Sequence, residues 1–246
     1  MSRPRRFSEV SGFVLAGGAS RRMGFDKARL PLGSESMVDR QIRLLRAICS
    51  SVSILGPPDR FLDAGIRVYE DDIPGKGPLG GIHTGLRRAR TEFSLFLSCD
   101  MPLMEARFLR YLCEQALVSR ASATVPPPWA KGVYPLCAVL RRRELSTVRS
   151  SLALGQNQVG RFFKKVRRRT ISKAEFARAG FSPRIFYNAN TPEEYQMVRR
   201  QLEALNNRTR VAELGAFPEW GHMADAQTRR GLISNSLSKN FESVSF

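Results

Sequence analysis

The sequence predicts an α/β fold with a mostly parallel central sheet, and three observations support this prediction. Short apolar runs that are typical of buried strands alternate with stretches of helical periodicity. A glycine-rich loop directly follows the first apolar run, where a strand can lead into a ligand-binding turn. Acidic residues follow two later runs, at the sheet edge where parallel α/β folds bind ligands. A chain of 246 residues is long enough for one such domain with a small extension.

The predicted elements follow from the hydrophobic pattern. Strands are expected at residues 10–15, 52–55, 66–69, 93–97 and 134–140. Helices are expected at residues 37–48, 82–89, 105–118, 145–154 and 160–165. A last helix should run from Thr191 to about residue 205, because Thr191, Pro192 and Glu194 are typical of a capping box with a first-turn proline. Residues 207–246 lack periodicity and predict a poorly ordered tail, which leaves residues 1–206 as the folded domain.

The charge balance favours phosphate-rich partners. The formal net charge is +18, whereas the hydrophobic content of 42% and the charged content of 25% are ordinary for a globular protein. Arginine runs at residues 141–143 and 167–169 are typical of a solvated basic face. Aromatic residues are not interleaved with these basic residues, so the pattern does not favour a nucleic-acid-binding surface.

Cysteine usage and hydropathy predict a cytoplasmic protein. The four cysteines show no zinc-ligand spacing and are expected to be small buried hydrophobes in a reducing compartment. No apolar run approaches the length of a membrane span. The basic start precedes too few apolar residues for a secretory signal.

The loop at residues 15–27 has the composition of a polyphosphate-binding loop. The adjacent glycines Gly17 and Gly18 let the backbone pass close to a ligand. Arg22 and Lys27 add cationic donors. The spacing is neither that of a Walker A loop nor that of the dinucleotide-binding fingerprint.

Two acidic strand ends and a second glycine-rich segment complete the candidate site. Asp71 lies in a run of three acids that could bind magnesium, hold a ribose hydroxyl or form a solvated turn. Residues 75–82 precede a predicted helix, and Gly80 could offer its amide to a nucleotide or form a tight turn. Asp100 follows the apolar run 93–97, where it could coordinate magnesium or cap the next helix.

Four motifs together resemble one enzyme family. Residues 15–27 fill every defined position of Leu-Ala-Gly-Gly-x-Ser-x-Arg-Met-Gly-x-Asp-Lys, the signature of nucleotidyltransferases related to molybdenum cofactor guanylyltransferase. The family's Gly-Pro-Leu-Gly/Ala-Gly, Cys-Asp-x-Pro and Asn-x-Asn-Thr-Pro-Glu-Glu elements follow in order at residues 77–81, 99–102 and 188–194. This resemblance spans residues 12–205 and implies a three-layer Rossmann-like nucleotidyltransferase fold.

The resemblance implies an enzyme that binds GTP with Mg²⁺, transfers GMP to molybdopterin and releases pyrophosphate. It implies catalytic roles for Arg22, Lys27 and Asp100, with Asp100 holding the metal, and an acceptor-side or metal-side role for Asn188 and Asn190. Expected protein partners are a molybdenum-insertion protein and the target molybdoenzymes or their chaperones, and no membrane partner is expected. The residues expected to bind the nucleotide are Leu15, Ala16, Gly17, Gly18, Lys27, Asp71, Gly80 and Asp100.

Base specificity leaves alternatives open. Related guanylyltransferases often have an asparagine at the end of the second strand, where this chain has Leu-Gly-Pro at residues 55–57. A cytidylyltransferase acting on the same pterin is therefore the nearest alternative. A basic nucleic-acid-binding protein and a nucleotide sensor without catalysis are alternatives from other classes.

Overall fold

The computed structural model describes residues 6–18, 26–128 and 136–214, without the side chains of residues 205–214. Within these ranges the strands are β1 (Phe7–Leu15), β2 (Pro31–Leu32), β3 (Glu35–Ser36), β4 (Cys49–Leu55), β5 (Arg67–Tyr69), β6 (Phe93–Ser98), β7 (Ala123–Val125), β8 (Cys137–Arg141) and β9 (Arg168–Thr170). The α-helices are α1 (Met37–Arg46), α2 (Pro78–Arg88), α3 (Ala106–Val118), α4 (Leu145–Ala153), α5 (Val159–Lys165), α6 (Lys173–Arg178) and α7 (Pro192–Leu214).

Seven of these strands form one sheet in the order β5-β4-β1-β6-β8-β7-β9, and β2 pairs with β3 in a separate hairpin. In the large sheet only β8 runs antiparallel to its neighbours, β6 and β7. The central strand β1 pairs in parallel with β4 and with β6, so that Leu15 lies beside Leu55 and Ser98. The prediction of a mostly parallel α/β sheet is confirmed.

The sheet is covered on both faces. Successive side chains of a strand point to opposite faces, so Val14 joins one hydrophobic core while Phe13 and Leu15 join the other. The first core contains side chains of α1, α3 and α6, and the second contains side chains of α2, α4 and α5. This arrangement is the predicted three-layer architecture.

Helix α2 begins at Pro78, four residues before the predicted start, and therefore includes Gly80 and Gly81. Glycine is required at Gly81 and Gly85 because the helix packs directly on the sheet. An added Cβ would lie 2.8 Å from Leu15 at Gly81, and 2.5 Å from Phe96 at Gly85. Of the two alternatives for Gly80, the structure shows the turn, because the Gly80 N–H donates to the Gly77 carbonyl at 2.9 Å.

Several other elements differ from the sequence predictions. Strands β7 and β9 were not expected, and β9 contains part of the 167–169 arginine run. The segment before Asn188 is a 3₁₀ helix, Pro183–Phe186, which was not among the expected elements. Helix α7 extends to Leu214, beyond the expected end near residue 205.

The arginine runs are partly integrated into the fold. Arg141 donates to the carbonyls of Ser119 and Ala121, and its guanidinium lies 4.4 Å from the centre of the Phe93 ring. Arg169 pairs with Glu175 on α6. These two side chains therefore depart from the predicted solvated basic face.

The cysteines are buried or partly buried, as the sequence predicts. All four cysteines are free thiols; Cys99 is partly buried, and Cys49, Cys113 and Cys137 are buried. None of the helices in the described part of the chain combines the length and apolar character that a membrane crossing needs. The compact unit that contains the sheet ends at Asn207. The tail predicted for residues 207–246 lies, from residue 215, outside the described residues.

Candidate active site

A cavity of about 530 Å³ opens at the carboxyl edge of the central strands. The end of β1 lies between the ends of β4 and β6, and the start of α2 forms a further wall. This is the edge where parallel α/β sheets bind their ligands. The residues that line the cavity are Leu15, Ala16, Gly17, Gly18, Lys27, Ala28, Leu55, Arg60, Asp71, Gly75, Gly77, Pro78, Gly81, Ser98, Cys99, Asp100, Leu136 and Asn190.

Residues 15–18, which begin the first motif and are called the glycine loop from here on, are held against the end of β4. The Ala16 N–H donates to the Leu55 carbonyl at 2.9 Å, which extends the parallel pairing by one residue. Gly56 packs its backbone on the loop, where an added Cβ would lie 3.0 Å from the Ala16 carbonyl carbon and 3.2 Å from the Gly17 nitrogen. The backbone of Ala16 and Gly17 is therefore positioned directly by the neighbouring strand end.

Lys27 joins the first motif to the last one. It begins a short 3₁₀ helix, Lys27–Arg29, that Asp26 caps by accepting from the Ala28 N–H at 3.1 Å. The Lys27 ammonium donates to Oδ1 of Asn190 at 3.0 Å. Asn190 is held in turn by Glu194, whose carboxylate accepts from its backbone N–H at 2.6 Å. The structure thus brings two residues 163 positions apart to one side of the cavity.

Glu194 completes the capping box predicted at the start of α7. Its carboxylate accepts from the Thr191 N–H at 3.0 Å, and its own N–H donates to the Thr191 hydroxyl at 3.3 Å.

Asp100 follows β6 and has a buried carboxylate oxygen, Oδ1, with no hydrogen-bond partner among the described residues. Its carbonyl accepts from the Ala189 N–H at 3.0 Å, and the next carbonyl, that of Met101, accepts from the Gln41 side chain at 2.9 Å. Helix α1 and the last motif therefore fix the turn that presents Asp100 to the cavity.

The unpartnered carboxylate oxygen of Asp100 fits a hard divalent cation. An unpaired buried carboxylate oxygen is costly unless a cation or donor satisfies it. Asn188 also has a buried side-chain oxygen without a partner in the described structure. No group of three Asp, Glu, His or Cys side chains within the described ranges could bind a metal alone. A hard divalent cation can be held by one or two carboxylates together with substrate phosphates, and Asp100 offers one carboxylate to the cavity.

Asp71 and Asp72 have different environments. Asp71 lines the cavity, where burial and the charges of Asp72 and Glu70 raise the pKa of its carboxyl. Asp72 is engaged by Arg87, with two hydrogen bonds of 2.6 and 2.7 Å, and by Arg88. Burial favours the neutral form of Asp72, but these arginines outweigh it and lower the pKa of that carboxyl. Asp71 is consequently the acid of this run that lines the cavity.

Most of the expected site residues that the structure describes meet in this cavity, with two exceptions. Gly80 is not among the lining residues. A Cβ added at Gly80 would lie 3.1 Å from the Lys76 side chain and 3.2 Å from the Ile73 carbonyl oxygen. Gly81 lines the cavity instead. Asn188 also lies outside the lining set. Arg22 lies outside the described residues. The expected residues that line the cavity are Leu15, Ala16, Gly17, Gly18, Lys27, Asp71, Asp100 and Asn190.

Arg60 is the charged lining residue that sequence reasoning missed. Its guanidinium pairs with the carboxylate of Asp26 through two hydrogen bonds, one from Nε at 2.8 Å and one from a terminal nitrogen. The sequence carried no spacing signal for this residue, since it follows a Gly-Pro-Pro turn in an irregular stretch. Only the folded chain places it beside the first motif.

A parallel sheet that presents a glycine loop, a lysine and a buried carboxylate to one cavity defines a nucleotide-binding enzyme of the nucleotidyltransferase class. Residues 12–173 match the sequence family described as the MobA-like NTP transferase domain. The chain belongs to this family and is a nucleotidyltransferase, as the motifs predicted.

Curated relatives support this membership, and a solved structure has the same fold. The molybdenum cofactor guanylyltransferase of Syntrophotalea carbinolica is 33% identical over 78% of this chain and 91% of its own length. The molybdenum cofactor guanylyltransferase of Desulfosudis oleivorans is 30% identical over 79% of this chain and 96% of its own length. The crystal structure of molybdopterin-guanine dinucleotide biosynthesis protein A from Archaeoglobus fulgidus has the same fold, with a TM-score of 0.68 at 16% identity over 79% of this chain and 99% of its own.

Proposed function

We propose that this enzyme transfers GMP from GTP to molybdopterin carrying molybdenum, releases pyrophosphate and so forms the guanine dinucleotide cofactor. The observation that carries the proposal is the meeting of the glycine loop, Lys27 and Asp100 in one cavity. The relatives named molybdenum cofactor guanylyltransferase support the choice of substrates, since they match this chain over most of its length.

The reaction is an in-line displacement at the α-phosphorus of GTP. An oxygen of the terminal phosphate of molybdopterin forms the new bond to phosphorus, the bond to the β-phosphate oxygen breaks, and pyrophosphate departs with its electron pair. The nucleophile is already an anion, so the chain needs no strong general base. Catalysis then rests on positioning and on neutralising charge.

The proposed roles of Lys27, Asp71 and the glycine loop are supported by their positions in the cavity, whereas that of Arg22 is carried by the motif alone. The backbone of Leu15, Ala16, Gly17 and Gly18 contacts the base and the phosphates. Lys27, oriented by its hydrogen bond to Asn190, neutralises the departing phosphates. Arg22 is expected to assist it. Asp71 accepts a hydrogen bond from the nucleotide.

The class of enzyme implies a divalent metal, which we propose to be Mg²⁺. The unpartnered oxygen of Asp100 would hold it, and the oxygen of Asn188 would support it from the acceptor side. When bound, such a cation neutralises negative charge on the phosphates and orients them.

The base is proposed to be guanine although no asparagine follows β4. Gly56 follows β4 instead, and its backbone packs close to the loop at Ala16. The names of the relatives favour GTP over the cytidylyl alternative.

The free cysteines fit a cytoplasmic location. A molybdenum-insertion protein and molybdoenzymes or their chaperones are the proposed protein partners.

Pyrophosphate release tests this proposal. The purified full chain is supplied with Mg²⁺ and molybdopterin, and GTP, CTP and ATP are compared in parallel. Release with GTP alone, lost in the Asp100→Asn variant, is the expected result. Release with CTP alone would assign the cytidylyl activity instead. No release with any nucleotide, from protein shown to be folded, would contradict the proposal.

A further inference from the structure

Arg60 connects the end of β4 to the segment that carries Lys27. It lies in the 3₁₀ helix Pro58–Phe61, which follows β4. Its Nε donates to the Asp26 carboxylate at 2.8 Å, and a terminal nitrogen makes a second hydrogen bond to the same group. Another terminal nitrogen lies 3.5 Å from the Gly18 carbonyl. One side chain therefore contacts both Gly18 and Asp26.

The side chain of Arg29 reinforces this connection. Arg29, two residues beyond Lys27, donates twice to the carbonyl of Arg60, at 2.6 and 2.8 Å. Arg29 also pairs with Asp63 through hydrogen bonds of 2.8 and 3.2 Å. The side chain of Arg60 is thus hydrogen-bonded to Asp26, and its backbone carbonyl to Arg29. Lys27 lies between these two residues in the sequence.

The pairing of Arg60 differs from that of a simple phosphate ligand. Its side chain is only 23% exposed and its partner Asp26 is 26% exposed, so their contact is partly shielded from water. A guanidinium with two bonds to a carboxylate already has a fixed orientation. We infer that Arg60 is a positioning residue for nucleotide binding: it holds the Lys27 turn against the glycine loop by pairing with Asp26.

This inference rests on the proposed function and makes a distinctive prediction. If Arg60 acts through Asp26, removing either partner displaces the same turn, and removing both does little further harm. If Arg60 instead contacts phosphate directly, Asp26→Asn leaves nucleotide affinity intact or improves it, because the competing carboxylate charge is gone. A role in stability alone leaves the affinity of the folded protein unchanged.

The test measures the dissociation constant of GTP with Mg²⁺ for the full chain by calorimetry, together with KM and kcat for pyrophosphate release. Arg60→Met and Asp26→Asn should each weaken GTP binding about tenfold and lower kcat/KM by about 10²-fold, since a small misplacement of a charged group has effects of this size. The double variant should match the single ones. Arg60→Lys keeps the charge but loses the planar guanidinium with its two donors, so its affinity for GTP should lie between those of Arg60→Met and the native chain.

A matched control is Arg43→Met. Arg43 also makes two hydrogen bonds to one carboxylate, that of Glu35, at 2.6 and 2.8 Å, but it does not line the cavity. Its loss should leave GTP affinity unchanged. Additive effects of Arg60→Met and Asp26→Asn, or full affinity in Asp26→Asn, would overturn the inference. Failure of the proposed function would show instead in the unmodified protein, as absence of turnover. An unmodified protein that bound no GTP would overturn both.

Discussion

The Lys27 ammonium donates a hydrogen bond of 3.0 Å to the side-chain oxygen of Asn190. These residues belong to the first and last motifs of the chain, and the contact places them on the same side of the cavity. A lysine side chain has several rotatable bonds, so a partner of fixed position reduces the entropy lost when it meets a phosphate. The last motif therefore orients the cation of the first.

Replacing Lys27 by alanine should lower turnover by a factor of about 10²–10³, the usual size for one preorganised electrostatic contact. The rate to compare is kcat for pyrophosphate release at saturating GTP. Lys173→Ala, which removes an exposed lysine from α6, is the control and should retain normal turnover. Near-native kcat in Lys27→Ala would show that the leaving phosphates are neutralised elsewhere.

Asp100→Asn should separate activity from stability. Activity should fall by about 10³-fold, because the proposed metal loses its carboxylate. The free energy of unfolding should stay the same or rise, since an unpaired buried carboxylate oxygen is removed. Pyrophosphate release measures the activity, and thermal unfolding with and without GTP and Mg²⁺ measures the stability and the binding of the ligands. The ligands should raise the melting temperature of the native chain by mass action and have little effect on the variant. Equal stabilisation of both proteins would argue against a metal at Asp100.

Gly56→Ala should weaken nucleotide binding through the backbone. The new methyl group would lie 3.0 to 3.2 Å from backbone atoms of Ala16 and Gly17, so the loop must shift by a few tenths of an ångström. We expect GTP affinity to fall about tenfold with a destabilisation of about 1–3 kcal/mol. Gly160→Ala is the comparison for stability, since a Cβ there meets nothing within 4 Å inside helix α5 and should stabilise the chain. Unchanged affinity in Gly56→Ala would show that the loop tolerates the displacement.

Acid should remove the contribution of Asp26 to stability. Burial favours its neutral form, but the hydrogen bonds and charge of Arg60 outweigh this and hold the pKa of Asp26 below the ordinary 3.8. A carboxyl whose pKa is lower in the folded state stabilises the fold above the unfolded pKa, and this stabilisation is lost as the pH falls through the folded pKa.

Urea unfolding at several pH values tests this dependence. The native chain should be more stable than Asp26→Asn at about pH 6, and the difference should shrink as the pH falls below about 4. A difference that stays constant down to about pH 3 would contradict the lowered pKa of Asp26.

Much of the site could be predicted because its residues follow strong local signals. The apolar runs of β1, β4 and β6 place their ends at one sheet edge, and the glycine loop and Asp100 come directly after two of them. Similarly, the Thr191 and Glu194 capping box is a local hydrogen-bond pattern that spacing alone reveals.

The remaining features depend on contacts between distant segments. Strand β9 consists of Arg168, Arg169 and Thr170, and is a strand because it pairs with β7. Helix α2 approaches Leu15 and Phe96 of the sheet at Gly81 and Gly85, a contact between distant segments that no residue count along the chain reveals. The pairing of Arg60 with Asp26 spans 34 residues and arises only when the end of β4 meets the glycine loop.

The most direct test of the central claim is to identify the product. The full chain is incubated with Mg²⁺, molybdopterin carrying molybdenum, and GTP labelled at the α-phosphate, and the pterin is then isolated and weighed by mass spectrometry. We expect a labelled pterin that is heavier by one GMP unit, formed together with one pyrophosphate. An unlabelled pterin of unchanged mass, from folded protein that binds GTP, would contradict the proposed transfer.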